Sequence, residues 1–165
     1  MLKYANYDIV FQEVPDEVTL AINISNCPNH CPECHSKYLW ADVGDVLDRK
    51  SLDDLIEKYR SGITCVCFMG GDASPYEVAN LSMHVKNQFN GLKTGWYSGK
   101  DNLPEAFHAE TFDYIKLGHF DSKYGPLDAL TTNQRMMKRL ADGRVKDITN
   151  RFQVKPQSTS SYKDL

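Results

Sequence analysis

No apolar run in this chain approaches the roughly 20 residues that a membrane-spanning helix needs, so no transmembrane segment is expected. The first residues, Met1-Leu2-Lys3-Tyr4-Ala5-Asn6-Tyr7-Asp8, lack the basic-then-apolar order of a secretory signal, and a cytoplasmic protein is expected. An excess of positive charge is missing too: 19 Lys and Arg stand against 22 Asp and Glu, a net charge of −3. A nucleic-acid or anionic membrane partner would favour a basic face, and neither is expected. There is no internal repeat and no interdomain linker, and 165 residues make one domain of ordinary size. Residues 1–154 are assigned to that domain, and the polar stretch 155–165, with Pro156-Gln157-Ser158-Thr159-Ser160-Ser161, to a disordered tail. Five cysteines, an odd number, in a reducing compartment argue against a disulfide framework and for metal or redox chemistry.

What is present is enough apolar material for a core: 41% hydrophobic residues against 25% charged. Asp8–Glu13 and Val18–Ile24 are expected to be extended, with a turn at Pro15-Asp16. An irregular stretch follows from Ser25 to about Lys50. Leu52, Leu55, Ile56 and Tyr59 recur at helical spacing after a Ser51/Asp54 capping box. Ile63–Met69 is a compact apolar run bounded by Gly70-Gly71, the pattern of a buried parallel strand. A second helix is expected from a Ser74 cap, with Pro75 in its first turn, Glu77 as box partner and Val78, Leu81, Val85 and Phe89 on its apolar face. Strands at Leu92–Tyr97 and Tyr114–Leu117, a short helix at Leu103–Glu110, a helix from Asn133 to about Leu140 and an extended Val145–Ile148 complete the expectation. Alternating strands and helices predict an α/β fold with a mainly parallel sheet. The chain is too short for a full eight-unit barrel of about 250 residues, so a partial (β/α) barrel or open sheet is expected.

The chemistry is concentrated in Asn26-Cys27-Pro28-Asn29-His30-Cys31-Pro32-Glu33-Cys34-His35, a C-x3-C-x2-C spacing directly after a strand. Three thiolates on one short loop can wrap a single metal centre, and the two prolines reduce the chain entropy lost on binding. Iron–sulfur clusters usually take four cysteines. A [4Fe–4S] cube held at three corners leaves one iron open to a ligand. Two readings compete with it: structural zinc completed by His30 or His35, and a cluster used only for electron transfer. Gly70-Gly71-Asp72 after the apolar strand allows close backbone approach to a ligand and offers a carboxylate for an ammonium group. It is equally a plain strand-to-helix turn. Cys65 and Cys67 share one face of that strand, the pattern of inert core thiols.

The cysteine spacing resembles the signature of the radical S-adenosylmethionine (SAM) superfamily, although Glu33 stands where many members carry an aromatic residue. Cys34-His35-Ser36-Lys37-Tyr38-Leu39-Trp40, Thr94-Gly95-Trp96-Tyr97, Asp113–Phe120 and Thr131-Thr132-Asn133-Gln134-Arg135 are similar, in the same order, to segments of the activating proteins of anaerobic (class III) ribonucleotide reductase. The similarity covers about residues 8–140. It departs from that family in lacking a Gly-rich segment before the first strands and in Lys116-Leu117-Gly118. The resemblance implies a radical SAM barrel and a [4Fe–4S] cluster on Cys27, Cys31 and Cys34. It also implies SAM held by Gly70, Gly71 and Asp72 beside the backbone of Glu33, Cys34 and His35, with His35 able to pack on its adenine. The implied activity is reductive cleavage of SAM to methionine and a 5′-deoxyadenosyl radical, which takes a hydrogen from a glycine of the large reductase subunit. A flavodoxin-like protein would be the electron donor. A radical SAM enzyme acting on a small molecule, such as a deazapurine-forming synthase, and a non-enzymatic zinc or electron-transfer module stay open as alternatives. Asn133 is expected to be a helix cap, and Arg135 is either a solvated charge or a partner contact.

Overall fold

The computed structural model describes residues 1–153; the tail assigned to 155–165 lies outside them. In chain order the elements are β1 (Lys3–Val10), β2 (Thr19–Ile24), β3 (Asp45–Val46), α1 (Arg49–Tyr59), β4 (Cys65–Met69), α2 (Pro75–Gln88), β5 (Lys93–Tyr97), β6 (Tyr114–Leu117), β7 (Arg135–Arg139) and β8 (Val145–Asp147). The strands form one sheet in the order β3-β1-β2-β4-β5-β6-β7-β8. Its centre, β2-β4-β5-β6, is parallel, and β1, β3, β7 and β8 extend it by antiparallel pairing. The sheet is therefore mixed, and open along β3 and β8, where a mainly parallel sheet was expected.

Alternation along the central strands sorts side chains onto two faces. Leu20, Ile22, Ile24, Val66, Phe68, Trp96 and Ile115 pack with Leu52, Leu55 and Ile56 of α1 and Val78, Leu81 and Val85 of α2 in the main core. Cys65, Cys67 and Tyr114 point the other way, where Val14, Met136 and Ile148 cover them. Truncating a fully buried side chain such as Phe68 to Ala would cost about 3–5 kcal/mol.

The helix starts differ from expectation in detail. Asp48, not Ser51, caps α1: its carboxylate accepts from the Ser51 N–H at 2.9 Å while the Ser51 hydroxyl accepts from the Asp48 N–H at 2.9 Å. Ser74 precedes α2 without a side-chain capping bond. Glu77 reaches instead to the N-terminal ammonium at 3.1 Å and the Leu2 N–H at 3.2 Å, tying α2 to the start of β1.

Two expected helices are absent. Residues 103–110 hold no helix: only a 3₁₀ turn forms at Ala109–Thr111. Pro104 and a left-handed Ala106 (φ 52°) interrupt the run, and Phe107 turns inward to rings of Trp96 and Phe112, 4.9 and 5.9 Å away between centroids. The stretch from Asn133 to Leu140 contains β7, paired antiparallel with β6 through Tyr114↔Lys138 and Leu117↔Arg135. The open edge of β6 offers backbone partners that outweigh the good intrinsic helix propensity of Met, Lys and Arg there.

Candidate metal centre

Parallel strands bring their carboxyl ends to one edge, where ligands gather in open α/β sheets. Here that edge carries four segments: the cysteine loop after β2, Gly70-Gly71-Asp72 after β4, Ser98-Gly99-Lys100 after β5 and Gly118-His119-Phe120 after β6.

The cysteine loop is built by its backbone. Asn26 N–H donates to Ala41 O at 3.0 Å and Cys27 N–H to Leu39 O at 2.9 Å, while the Ser25 hydroxyl holds Val43 O at 2.6 Å. Outgoing and returning chain are thereby zipped together. Asn26 (φ 59°) and His30 (φ 46°) adopt left-handed backbone, which bends the chain between Cys27 and Cys31. Cys34 N–H closes a turn onto Cys31 O at 3.0 Å, and the Ser36 N–H points at Cys34 Sγ at 3.3 Å, a donor suited to a thiolate. All three cysteines are free and half-buried. Burial pushes the Cys27 thiol up; N–H groups of Asn29 and His30 pull against that, while the Asp72 charge adds to it.

Cys65 and Cys67 do not belong to this group. Both are fully buried inside β4 on the sheet face away from the helices. Burial pushes both thiols well above the ordinary 9.0, as core thiols require.

Gly70 (φ 98°) and Gly71 (φ 89°) both need left-handed backbone. Their missing side chains would point into protein: a Cβ on Gly71 would stand 2.5 Å from Val78 Cγ2 and 3.2 Å from Ile24 Cδ1, and one on Gly70 would stand 3.2 Å from Ile24 O. The glycines therefore serve the tight passage from β4 into α2. Asp72 faces the site, but its carboxylate already has protein donors. Oδ1 accepts from the Ser98 hydroxyl at 2.6 Å, and Oδ2 accepts from the Asn29 amide at 2.5 Å and the Gly99 N–H at 2.8 Å.

The two histidines that could complete a zinc site are engaged by rings. His30 stacks on Trp40, 4.8 Å apart and 9° from parallel, and His35 tilts against Phe120 at 5.4 Å. Among the described residues, no three His, Cys, Asp or Glu side chains converge on a single-ion position. Glu33 is exposed; with Pro32, His119 and Phe120 it lines a cavity of about 300 Å³. A larger cavity, about 420 Å³, is lined by Asp72, Trp96, Lys100 and Leu103. Asn133 caps no helix: its amide donates to His119 O at 3.0 Å. Arg135 donates to Thr132 O and Gln134 O, at 2.9 and 2.8 Å.

Three residues of the site were not singled out by sequence. Asn29 and Ser98 meet only through Asp72, and no short-range pattern marks them. Lys116 is buried at the end of β6, its ammonium donating to Ser98 O at 3.3 Å and Gly118 O at 2.6 Å. Its place in an otherwise apolar strand, within the Lys116-Leu117-Gly118 departure from the family pattern, was the available signal.

The donor set suits an iron–sulfur cluster. Three thiols stand on one backbone-braced loop, and a four-iron cube, larger than an ion, does not need them to converge on one point. A family model described as a 4Fe-4S single cluster domain matches residues 18–117. The match spans more than half of the chain and runs from the start of β2 to the end of β6, so the chain belongs to the 4Fe-4S single cluster domain family. No curated protein and no solved structure matches it. No helix among the described residues is long and apolar enough to cross a membrane.

Proposed function

We propose that Cys27, Cys31 and Cys34 hold the cluster, leaving one iron open to SAM, and that the protein is an activating enzyme for anaerobic ribonucleotide reductase. The observation that carries this reading is the number of thiols within reach. Three lie on the loop, and the remaining two are locked in the core within β4, so one corner of a cube lacks a thiolate ligand. The position of the loop, beside Asp72 and two cavities at the strands' carboxyl edge, and the ordered motifs from Cys34 to Arg135 support the same reading. On it the open sheet is a reduced form of the radical SAM barrel.

A reduced cluster held by Cys27, Cys31 and Cys34 would supply the electron for reductive cleavage of SAM, the chemistry needed to take a hydrogen from a glycine of the partner. The chain's own part is to bind and orient. Asp72 offers a carboxylate at the mouth of the 420 Å³ cavity, able to receive the ammonium of SAM once the Asn29 amide moves off. Glu33, Cys34 and His35 lie beside the smaller cavity. The large reductase subunit is the protein substrate and a flavodoxin-like protein the donor.

A second reading is favoured by one observation: Asp72 is already satisfied by three protein donors, as in a cluster domain that only transfers electrons. One experiment separates the two. Anaerobically reconstituted protein, mixed with dithionite, SAM and the reductase of the same organism, should give a doublet glycyl-radical signal by electron paramagnetic resonance, and the Cys31→Ala variant should give none. A reducible cluster whose spectrum SAM leaves unchanged would favour electron transfer. SAM cleavage with a small metabolite and no reductase would favour a small-molecule radical SAM enzyme.

A further inference from the structure

Among the described residues, two that carry a formal charge are buried: Glu17, 5% exposed, and Lys116, 7% exposed. Glu17 has its counter-ion in Lys93, with Thr64 and Tyr114 hydroxyls completing its hydrogen bonds. Lys116 has no such counter-ion. Its ammonium donates to two backbone carbonyls, Ser98 O and Gly118 O, and lies 5.9 Å from the centre of the Tyr97 ring. A buried charge without an opposite charge is costly, and proteins keep such groups mostly at functional sites. The missing anion is not far off. Ser98, whose carbonyl Lys116 touches, donates its hydroxyl to Asp72, and Asp72 holds Asn29 in the middle of the cysteine loop.

We infer that Lys116 is the counter-charge of the iron–sulfur cluster and sets its reduction potential. Reduction adds one electron to a centre already surrounded by thiolates, so the reduced form carries one more negative charge. A cation fixed in the low-dielectric interior attracts the more negative form more strongly and makes the cluster easier to reduce. Lys100, exposed on the same edge, is screened by water and cannot substitute. Burial pushes the Lys116 ammonium down to about 8, while Asp72, Cys31 and Asp101 hold it up, so it is charged at neutral pH. The inference rests on the family's cluster alone and is independent of SAM.

The test is redox titration of the reconstituted protein, with the reduced cluster followed by electron paramagnetic resonance. In Lys116→Gln the amide has two N–H donors for the same two carbonyls but no charge. The reduction equilibrium should shift about tenfold towards the oxidised form, a potential about 59 mV more negative for a one-electron couple. Lys116→Met should shift it the same way, and Lys116→Arg should stay near wild type. An intact cluster with unchanged potential in the Gln or Met variant overturns the inference. So does loss of the cluster from both uncharged variants, which would make Lys116 a requirement of assembly. A failed glycyl-radical assay alongside the expected shift would count against the activase reading and leave this one standing.

Discussion

The Asn29 side-chain amide donates to the Asp72 carboxylate at 2.5 Å, joining the cysteine loop after β2 to the turn after β4. The same carboxylate holds Ser98 and Gly99 at the end of β5. One acid thus ties three strand ends together at the edge where the thiols stand. This bond has two consequences for binding. It restrains Cys27 and Cys31 on either side of Asn29, and it occupies the oxygen that an incoming ammonium would need.

If Asp72 receives SAM, the Asn29 amide competes with it. Asn29→Ala should then strengthen SAM binding while leaving the cluster's iron content intact, and Asp72→Ala should weaken it roughly ten- to a hundredfold, the worth of a charged hydrogen bond of about 1.5–3 kcal/mol. Calorimetry or the change in the cluster's spectrum on adding SAM would measure both. Equal SAM affinity in all three proteins would leave Asp72 a purely structural clamp.

Cluster assembly should separate the five cysteines. Cys27→Ala, Cys31→Ala and Cys34→Ala should each lose the broad visible absorption of the reconstituted protein, whereas Cys65→Ala and Cys67→Ala should retain about four irons per chain. Iron and sulfide analysis reads this directly. A core variant that loses the cluster while a loop variant keeps it would refute the ligand assignment.

Gly71 is a packing position, so its substitution should act on stability first. A Cβ there would stand 2.5 Å from Val78 Cγ2 on a backbone with φ of 89°. Gly71→Ala should cost about 1–3 kcal/mol in denaturant unfolding. A Gly71→Ala protein with wild-type stability and lost SAM binding would return this glycine to a direct ligand role.

Stability of the cluster-free protein should fall as pH rises above about 9. Burial holds the Cys65 and Cys67 thiols protonated in the folded state, well above their ordinary 9.0, while the unfolded chain releases those protons. The folded state then binds more protons, and each thiol removes up to about 1.4 kcal/mol per pH unit. Lys116 works in the opposite direction. Its folded value of about 8 lies below the ordinary lysine value of about 10.4, so the unfolded chain is the more protonated and stability rises over that interval. Below about pH 9 the amine, which titrates lower in the fold than the thiols do in the unfolded chain, offsets them; above it two thiols outweigh one amine and the net slope is downward. Urea titrations between about pH 9 and 10 should show it, with the fall weakened or lost in Cys67→Ala; a steeply rising profile there would contradict the burial of these thiols.

The local signals in this sequence were sufficient for the parts of the fold that local physics controls. The uninterrupted apolar run into Gly70-Gly71 marked a central strand because only a strand buried on both faces reads that way. The 3–4 spacing of Leu52, Leu55, Ile56 and of Val78, Leu81, Val85 marked the helices that cover it. The C-x3-C-x2-C loop was legible because its thiols are close in sequence, and the iron–sulfur family of the chain agrees with it. Other features depended on partners far along the chain. Residues 135–139 are a strand because β6 had an open edge for them, which no window around Met136 reveals. The space beside the Gly71 Cα is filled by Val78 and Ile24 because α2 packs back against β2. Asp72 meets Asn29 across 43 positions, and the unpaired charge of Lys116 lies against Ser98, 18 positions away. Sequence alone determined which groups could do chemistry here; only the parallel pairing of β2, β4, β5 and β6, which brings their carboxyl ends to one edge, decided which of them stand together.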